Sequence, residues 1–467
     1  MKSDRFGWLD IIRLGLVQAS LGAIVVLTTS TLNRVMVVEL ALPAVVPGLL
    51  VTFHHALQVL RPRWGYGSDR VGRRTPWIIG GMVCLAAGGS LAAVATALMG
   101  TDRTSGLALA GLAYGLIGIG AGAAGTSILT MLSERVEPRL KPAAATVVWI
   151  LMIAGFVLTA GIAGRLLDPF SSERLVNVVL GIDGTALLIS VLAIWRIEGR
   201  IVKRAGIVDA VTPNGEARPP FFSTLRAVWA EPQARSFTLF IFISMLAYSA
   251  QDLILEPFAG ASLSMTPGQS TTLGGLQHGG VLVGMIFVAI VGTLFGASRN
   301  GVLRGWMIAG CLGSALALLA IAGGSVWPLT AFKGLVFALG TANGVFAAAA
   351  IGSMMALASG GADAGRGAAK HDGTRIGLWG AAQALAFGLG GLVGTLTADV
   401  AKAMLGSATS AYAVVFALEA VAFVAAAAMA SSATSASGER QDFTRRELSA
   451  LGAEQVLNEQ SGGLHAT

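Results

Sequence analysis

The chain has 467 residues, 54% of them hydrophobic and 12% charged, with a mean hydropathy of +0.72 and a formal net charge of +7. A water-soluble domain carries about 25% charged residues, so a chain with half that allowance cannot clothe its surface for water, and lipid is the expected solvent. The basic residues stand in short clusters between apolar runs, the pattern of a membrane protein, which argues against a nucleic-acid partner. Two cysteines, Cys84 and Cys311, each lie inside an apolar run, and no disulfide framework is indicated.

The first residues, MKSDRFGWLDIIRLGLVQASLG, are basic and then apolar, with no small-residue cleavage site before the hydrophobic stretch continues. They read as a first membrane helix, not as a removed signal peptide. A bilayer-crossing helix needs about 20 apolar residues. Twelve segments qualify, at 11–33, 43–60, 77–100, 105–132, 142–166, 175–195, 236–258, 272–297, 305–326, 329–357, 376–398 and 410–430, the second being the shortest. Backbone groups in hydrocarbon must bond within their own segment, and the runs lack the polar–apolar alternation of a barrel strand, so all twelve are predicted to be helices.

An even number of spans puts both termini on one face. All but six of the 32 basic residues fall on that face, the exceptions being Arg34, Arg103, Arg165, Arg174, Lys333 and Lys402. The positive-inside rule therefore predicts a multi-pass membrane protein with both ends in the cytoplasm. The only long internal polar segment, 196–235, separates six spans from six. The expected division is an N-terminal bundle at 1–195, a cytoplasmic linker at 196–235, a C-terminal bundle at 236–430, and a largely disordered cytoplasmic tail at 431–467. The halves also resemble each other. The stretch from Gly111 matches that from Gly334, Cys84 matches Cys311, and Trp149, Gly161, Gly164 and Asp168 match Trp379, Gly391, Gly394 and Asp399. Two six-helix repeats follow, with a site expected at their interface.

Between the second and third spans stands GYGSDRVGRR. Gly65, Asp69, Arg70, Gly72, Arg73 and Arg74 fill every position of the loop signature of the major facilitator superfamily, which the chain resembles. The resemblance implies a conformational latch, in which glycines let two helix ends approach and the aspartate meets arginines or a neighbouring helix N-terminus. The phrases LNRVMVVELALPA (Leu32 to Ala44) and YSAQDLILEPFAG (Tyr248 to Gly260) resemble the PucC family, the bacteriochlorophyll-delivery branch of that superfamily. The short N-terminus and RPRWGYGSDRVGRRTPWIIGG are more similar to the branch encoded among bacteriochlorophyll-synthesis genes. What the resemblance implies is handling of bacteriochlorophyll or a precursor as cargo, in the intracytoplasmic membrane of a phototroph. It also implies bacteriochlorophyll synthase and light-harvesting or reaction-centre subunits as partners. An ordinary solute transporter and a pigment-free assembly scaffold are the competing readings. No pair of Asp-x-x-x-Asp clusters for a prenyl diphosphate occurs, nor a phosphate-binding G-x-x-x-x-G-K-[ST] loop, so catalysis is not expected.

Ionisable groups in spans are costly and need a partner or a role. By the repeat, Arg34 and Glu39 correspond to Asp252 and Glu256. Arg34 is expected to pair across the two-fold with Asp252 or Glu256, closing the periplasmic side. His54, His55 and His278 are the candidate axial ligands for a chlorin magnesium, which a neutral imidazole can serve if it faces a cleft. Adjacent histidines point about 100° apart on a helix, so at most one of His54 and His55 is expected to face a given pocket. Asp183 and Glu419 are each expected to bond a neighbouring helix.

Overall fold

A computed structural model describes residues 6–60, 73–137, 140–198, 226, 229–294, 300–323, 327–359 and 372–431. Twelve apolar helices stand among the described residues, and no strand. They are α1 (Trp8–Glu39), α2 (Val45–Leu57), α3 (Thr75–Leu98), α4 (Arg103–Arg135), α5 (Lys141–Leu166), α6 (Ser172–Ile194), α7 (Pro232–Leu263), α8 (Pro267–Leu294), α9 (Asn300–Ala322), α10 (Leu329–Ser359), α11 (Asp372–Leu405) and α12 (Ala408–Ser431). Eleven of them are long and apolar enough to cross a membrane. The exception, α2, has 13 residues and runs on into a 3-10 turn, Gln58–Leu60. The protein is a multi-pass membrane protein with the major facilitator fold.

The helices start where local chemistry allows. The carboxylate of Asp102 accepts the amides of Thr104 (3.1 Å) and Ser105 (3.2 Å) at the head of α4, and the Ser105 hydroxyl at 2.5 Å. These donors, the Ser105 hydroxyl foremost, hold the Asp102 carboxyl below its ordinary range. Ser171 caps α6 through the amide of Arg174, and prolines open α3, α5 and α7, where a missing N–H costs nothing.

Two cores form. One gathers α1 to α6 around Leu14, Ile24, Met82, Tyr114 and Ile117; the other gathers α7 to α12 around Phe240, Phe258, Phe332, Phe346, Phe416 and Phe423. Large apolar side chains such as Leu158, Leu192, Leu316 and Met404 stay exposed, as befits helices solvated by lipid. Lipid tails are as apolar as leucine, so close packing and polar contacts must join the helices. The glycine runs serve this purpose: a Cβ on Gly280 of α8 would meet the backbone of Phe337 and Thr341 on α10.

The pairings repeat with a shift of six. α1 packs on α5 and α7 on α11, α3 on α4 and α9 on α10, and α2 on α4 and α8 on α10. Two seams join the bundles, α2 against α11 and α5 against α8, and the same shift exchanges them. The predicted linker and tail fall largely outside the described residues, as do Gly65, Asp69, Arg70 and Gly72 of the loop signature. Of that loop, Arg73 is exposed and Arg74 is buried; the carboxylate of Glu198 accepts the amides of Arg74 (2.6 Å) and Thr75 (3.1 Å).

Candidate functional site

Besides the two seams, the bundles meet where α1 crosses α7, at the face opposite the start of α1, here termed the distal face. Both helices are irregular there. In α1, the single turn Leu32–Arg34 lies between two π-helical stretches, Leu27–Thr31 and Val35–Glu39. Such widened turns release carbonyls from the regular ladder and recur at functional sites. The Thr28 carbonyl accepts the Tyr114 hydroxyl of α4 at 2.9 Å. In α7, Pro257 sits inside the helix and has no N–H for the carbonyl of Leu253, four residues earlier. The side-chain amide of Asn33 on α1 supplies the missing donor, at 2.7 Å from the Leu253 oxygen. The two sequence phrases that carry the family resemblance thus complete one another across the bundle interface.

Arg34 follows the same course. It is 2% exposed, and its Nη2 donates to the carbonyl of Met265 at 2.7 Å, while its Nη1 pairs with Glu39 at 2.5 Å. The Met265 carbonyl is presented by the turn ending α7, where Ser264 takes a left-handed conformation (φ 53°) and the Met265 amide returns to Ala259. Gly260 leaves the room: a Cβ there would lie 2.9 Å from Nη2. Among the described residues the ion-pair partner of Arg34 is Glu39 of its own helix, whereas the sequence pointed to Asp252 or Glu256. Arg34 still crosses the interface, but onto a carbonyl. A carbonyl satisfies a guanidinium N–H without burying a second charge, which is the costlier choice in hydrocarbon.

Glu256 is buried and accepts the Thr271 hydroxyl of α8 at 3.4 Å; Thr271 in turn meets Thr31 of α1 at 3.1 Å. It also lies within the electrostatic reach of Arg34. Asp252 is half-buried, and among the described residues its Oδ1 has no hydrogen-bond partner. Sequence reading missed three members of this crossing. Asn33 and Thr271 look like ordinary polar residues in apolar runs, and Gln251 is fully buried with, among the described residues, neither amide atom hydrogen-bonded. The one legible signal for Asn33 was Pro257, whose ring implies an unsatisfied carbonyl at Leu253.

Flanking the crossing, each seam is closed at the distal face by an aspartate on a helix N-terminus of the other bundle. Asp399 at the end of α11 accepts the amides of Ala44 (2.9 Å) and Val45 (2.7 Å) where α2 begins. Asp168, just beyond α5, accepts the Thr266 hydroxyl (2.8 Å) ahead of α8, and a Cβ on Gly268 would press into its carboxyl group. These are the repeat-matched aspartates.

The three histidines are placed differently. His54 is buried on α2 and His55 lies beside it against Phe387 of α11; their rings stack 4.2 Å apart, and Gln58 contacts both. His54 is buried and His55 is partly exposed, so the two side chains leave the helix toward different surroundings although their rings touch. His278 of α8 is 5% exposed, edge-on to Phe156 of α5 (5.0 Å), and its Nδ1 meets the Gly274 carbonyl at 2.9 Å. That contact makes Nδ1 the donor and leaves Nε2 as the acceptor. Asp183 accepts the Ser90 hydroxyl of α3 at 3.0 Å, as expected of an acid bonding a neighbouring helix. Glu419 does not follow suit: both of its oxygens are buried and, among the described residues, without a hydrogen-bond partner.

The family model for the PUCC protein matches residues 31–437, which contain both halves of the crossing. The chain belongs to the PucC family. It is 50% identical over 432 residues to the bacteriochlorophyll synthase 44.5 kDa chain of Rhodobacter capsulatus, covering 92% of this chain and 97% of that one. It is 27% identical over 442 residues to protein PucC of the same organism, covering 90% and 91%. Among solved structures, a bacterial homologue of the lysosomal transporter Spinster superposes with a TM-score of 0.64 at 15% identity, over 91% of this chain and 96% of that one. The nucleoside transporter NupG superposes with a TM-score of 0.65 at 11% identity, over 91% and 99%. These two likenesses establish the fold.

Proposed function

We propose that this PucC-family protein binds bacteriochlorophyll or a precursor within the membrane and delivers it during pigment synthesis and photosystem assembly, without itself catalysing a reaction. The 50% identity to a relative named as a chain of bacteriochlorophyll synthase, over nearly the full length of both, carries the reading. In this reading the distal face is periplasmic, the termini are cytoplasmic, and the membrane is the bacterial inner membrane with its intracytoplasmic extension. The α1–α7 crossing is the outer closure, and the synthase and antenna subunits are partners.

The chemistry of the histidines supports it. An imidazole ligates a chlorin magnesium through an unprotonated nitrogen, and the Nδ1–Gly274 contact keeps Nε2 of His278 in that form. Its 5% exposure means that a macrocycle reaches it only when α5 and α8 part. His54 and His55 stand on the other seam as the alternative ligand pair. The loop residues Gly65, Asp69, Arg70, Gly72, Arg73 and Arg74 would latch the opposite face.

The test is to purify the full chain from a pigment-producing host and record its chlorin absorbance. Stoichiometric pigment in the native protein, and its loss in His278→Leu with the fold retained, is the expected outcome. Protein that never carries or takes up pigment, while still capturing the synthase, identifies a scaffold instead.

A further inference from the structure

Glu419 is the twelfth of the 24 residues of α12, which places it near the middle of the bilayer. It is 4% exposed, and among the described residues neither carboxyl oxygen has a hydrogen-bond partner. Its counterpart in the first repeat is Asp183, the twelfth residue of α6. Asp183 is closed in by α3: the Ser90 hydroxyl donates to it at 3.0 Å, and a Cβ on Gly89 would lie 2.6 Å from the same oxygen. The register that matches Cys84 with Cys311 sets Ala317 against Ser90, so the second repeat has no hydroxyl at that position.

Glu419 instead lines a groove of about 70 Å³ between α7, α11 and α12. The floor consists of small residues, Ala247 and Ala250 on α7 and Gly394 on α11, packed so closely that a Cβ on Gly394 would lie 2.9 Å from that of Ala250. The rim is the half-exposed Val393 of α11 and Leu418 of α12, flanked by the exposed Leu396 and Val421. Two polar side chains stand in this lining, Glu419 and Thr397. Small residues let a neighbouring helix come close, and a polar side chain then fixes it. Lipid tails carry no donor. A second copy of this chain, set groove to groove, brings another acid, and two carboxylates out of water repel each other. A magnesium or calcium ion takes six or more oxygen ligands, which two side chains do not supply. The chemistry that complements the groove is a basic side chain held at mid-depth by a helix, itself costly in lipid until it is paired.

We propose that the Glu419 groove docks a membrane-spanning helix of another protein, whose lysine or arginine enters between Val393 and Leu418 and donates its N–H groups to the Glu419 carboxylate. Charge complementarity selects this occupant. In the first repeat Ser90 gives Asp183 its donor from within the bundle; in the second the donor comes from outside. Docking pairs two groups that are each expensive alone in hydrocarbon, so the residue that burdens the isolated fold is the one that recognises the partner. The inference does not rest on pigment binding, since it needs only the groove and the acid.

The test uses the full chain in lipid vesicles, free of pigment, with a synthetic leucine–alanine helix of about 20 residues that carries one central lysine and a photoreactive diazirine beside it. After illumination, peptide mapping should place the crosslinks around Val393 and Leu418, and capture should exceed that of the same helix without lysine roughly tenfold. Glu419→Leu should erase the difference. Leu418→Trp, which narrows the mouth and leaves the acid in place, should reduce it. Equal capture of the two helices, lysine-dependent crosslinks confined to other parts of the chain, or a lysine preference unchanged in Glu419→Leu overturns the proposal. Equal capture of a helix with a central glutamate also overturns it, as do crosslinks between copies of this chain at the groove, which make a second copy the occupant. The comparison of lysine, leucine and glutamate helices on the wild type decides the matter whatever the stability of the variants.

Discussion

The two seams between the bundles descend from one repeat and are closed by the same residue type, yet they are not equally well made. On the α2–α11 seam, Asp399 meets two backbone amides at the head of α2, and both carboxyl oxygens are used. On the α5–α8 seam, among the described residues, Asp168 meets one threonine hydroxyl, and its Oδ1 is buried without a partner. A carboxylate on free amides at a helix start gains charge-assisted bonds and the helix dipole together. A lone hydroxyl offers less. The α5–α8 seam also carries His278 farther along α8, so the weaker closure belongs to the seam of the proposed pigment ligand.

The comparison can be broken by substitution. Asp399→Ala strips two amides of a charged acceptor and should cost about 3 kcal/mol of stability, read as a lowered unfolding midpoint in detergent; Asp168→Ala should cost about 1 kcal/mol. Equal losses would erase the asymmetry. At the crossing, Asn33→Ala leaves the Leu253 carbonyl bare and should cost about 2 kcal/mol. Adding Pro257→Ala restores a backbone donor within α7, and the double variant should regain about 1 kcal/mol in a mutant cycle; no recovery would mean that the Asn33 bond is incidental. The smallest effect is expected at Asp102, a fully exposed cap. Its carboxyl is held below the ordinary range, so its contribution is present above the unfolded-state value and fades as pH falls through the lowered one. Acid titration of the wild type against Asp102→Ala should show a gap that closes only at low pH.

Much of the architecture was legible. The segment 142–166 became Lys141–Leu166, and 175–195 became Ser172–Ile194, because hydrocarbon length and capping chemistry are written locally. The first and seventh segments were cut short, at 33 and 258, whereas the helices run to Glu39 and Leu263. Hydropathy counting stops at Arg34 and Pro257, but neither faces lipid: each is completed by the other bundle. The partner of Arg34 was misjudged for the same reason, since a carbonyl 231 positions away leaves no mark in composition. Asp168 and Asp399 were visible as a repeated pair. Their roles were not, because the helix starts they meet lie in the opposite half.

Pro257 has a mechanical corollary. Because the Leu253 carbonyl that it leaves vacant is filled from the neighbouring bundle, parting α1 from α7 strips that buried carbonyl of the Asn33 side-chain donor. A separation of the two helices therefore carries the cost of one bare carbonyl, unless α7 rearranges around Pro257 to cover it.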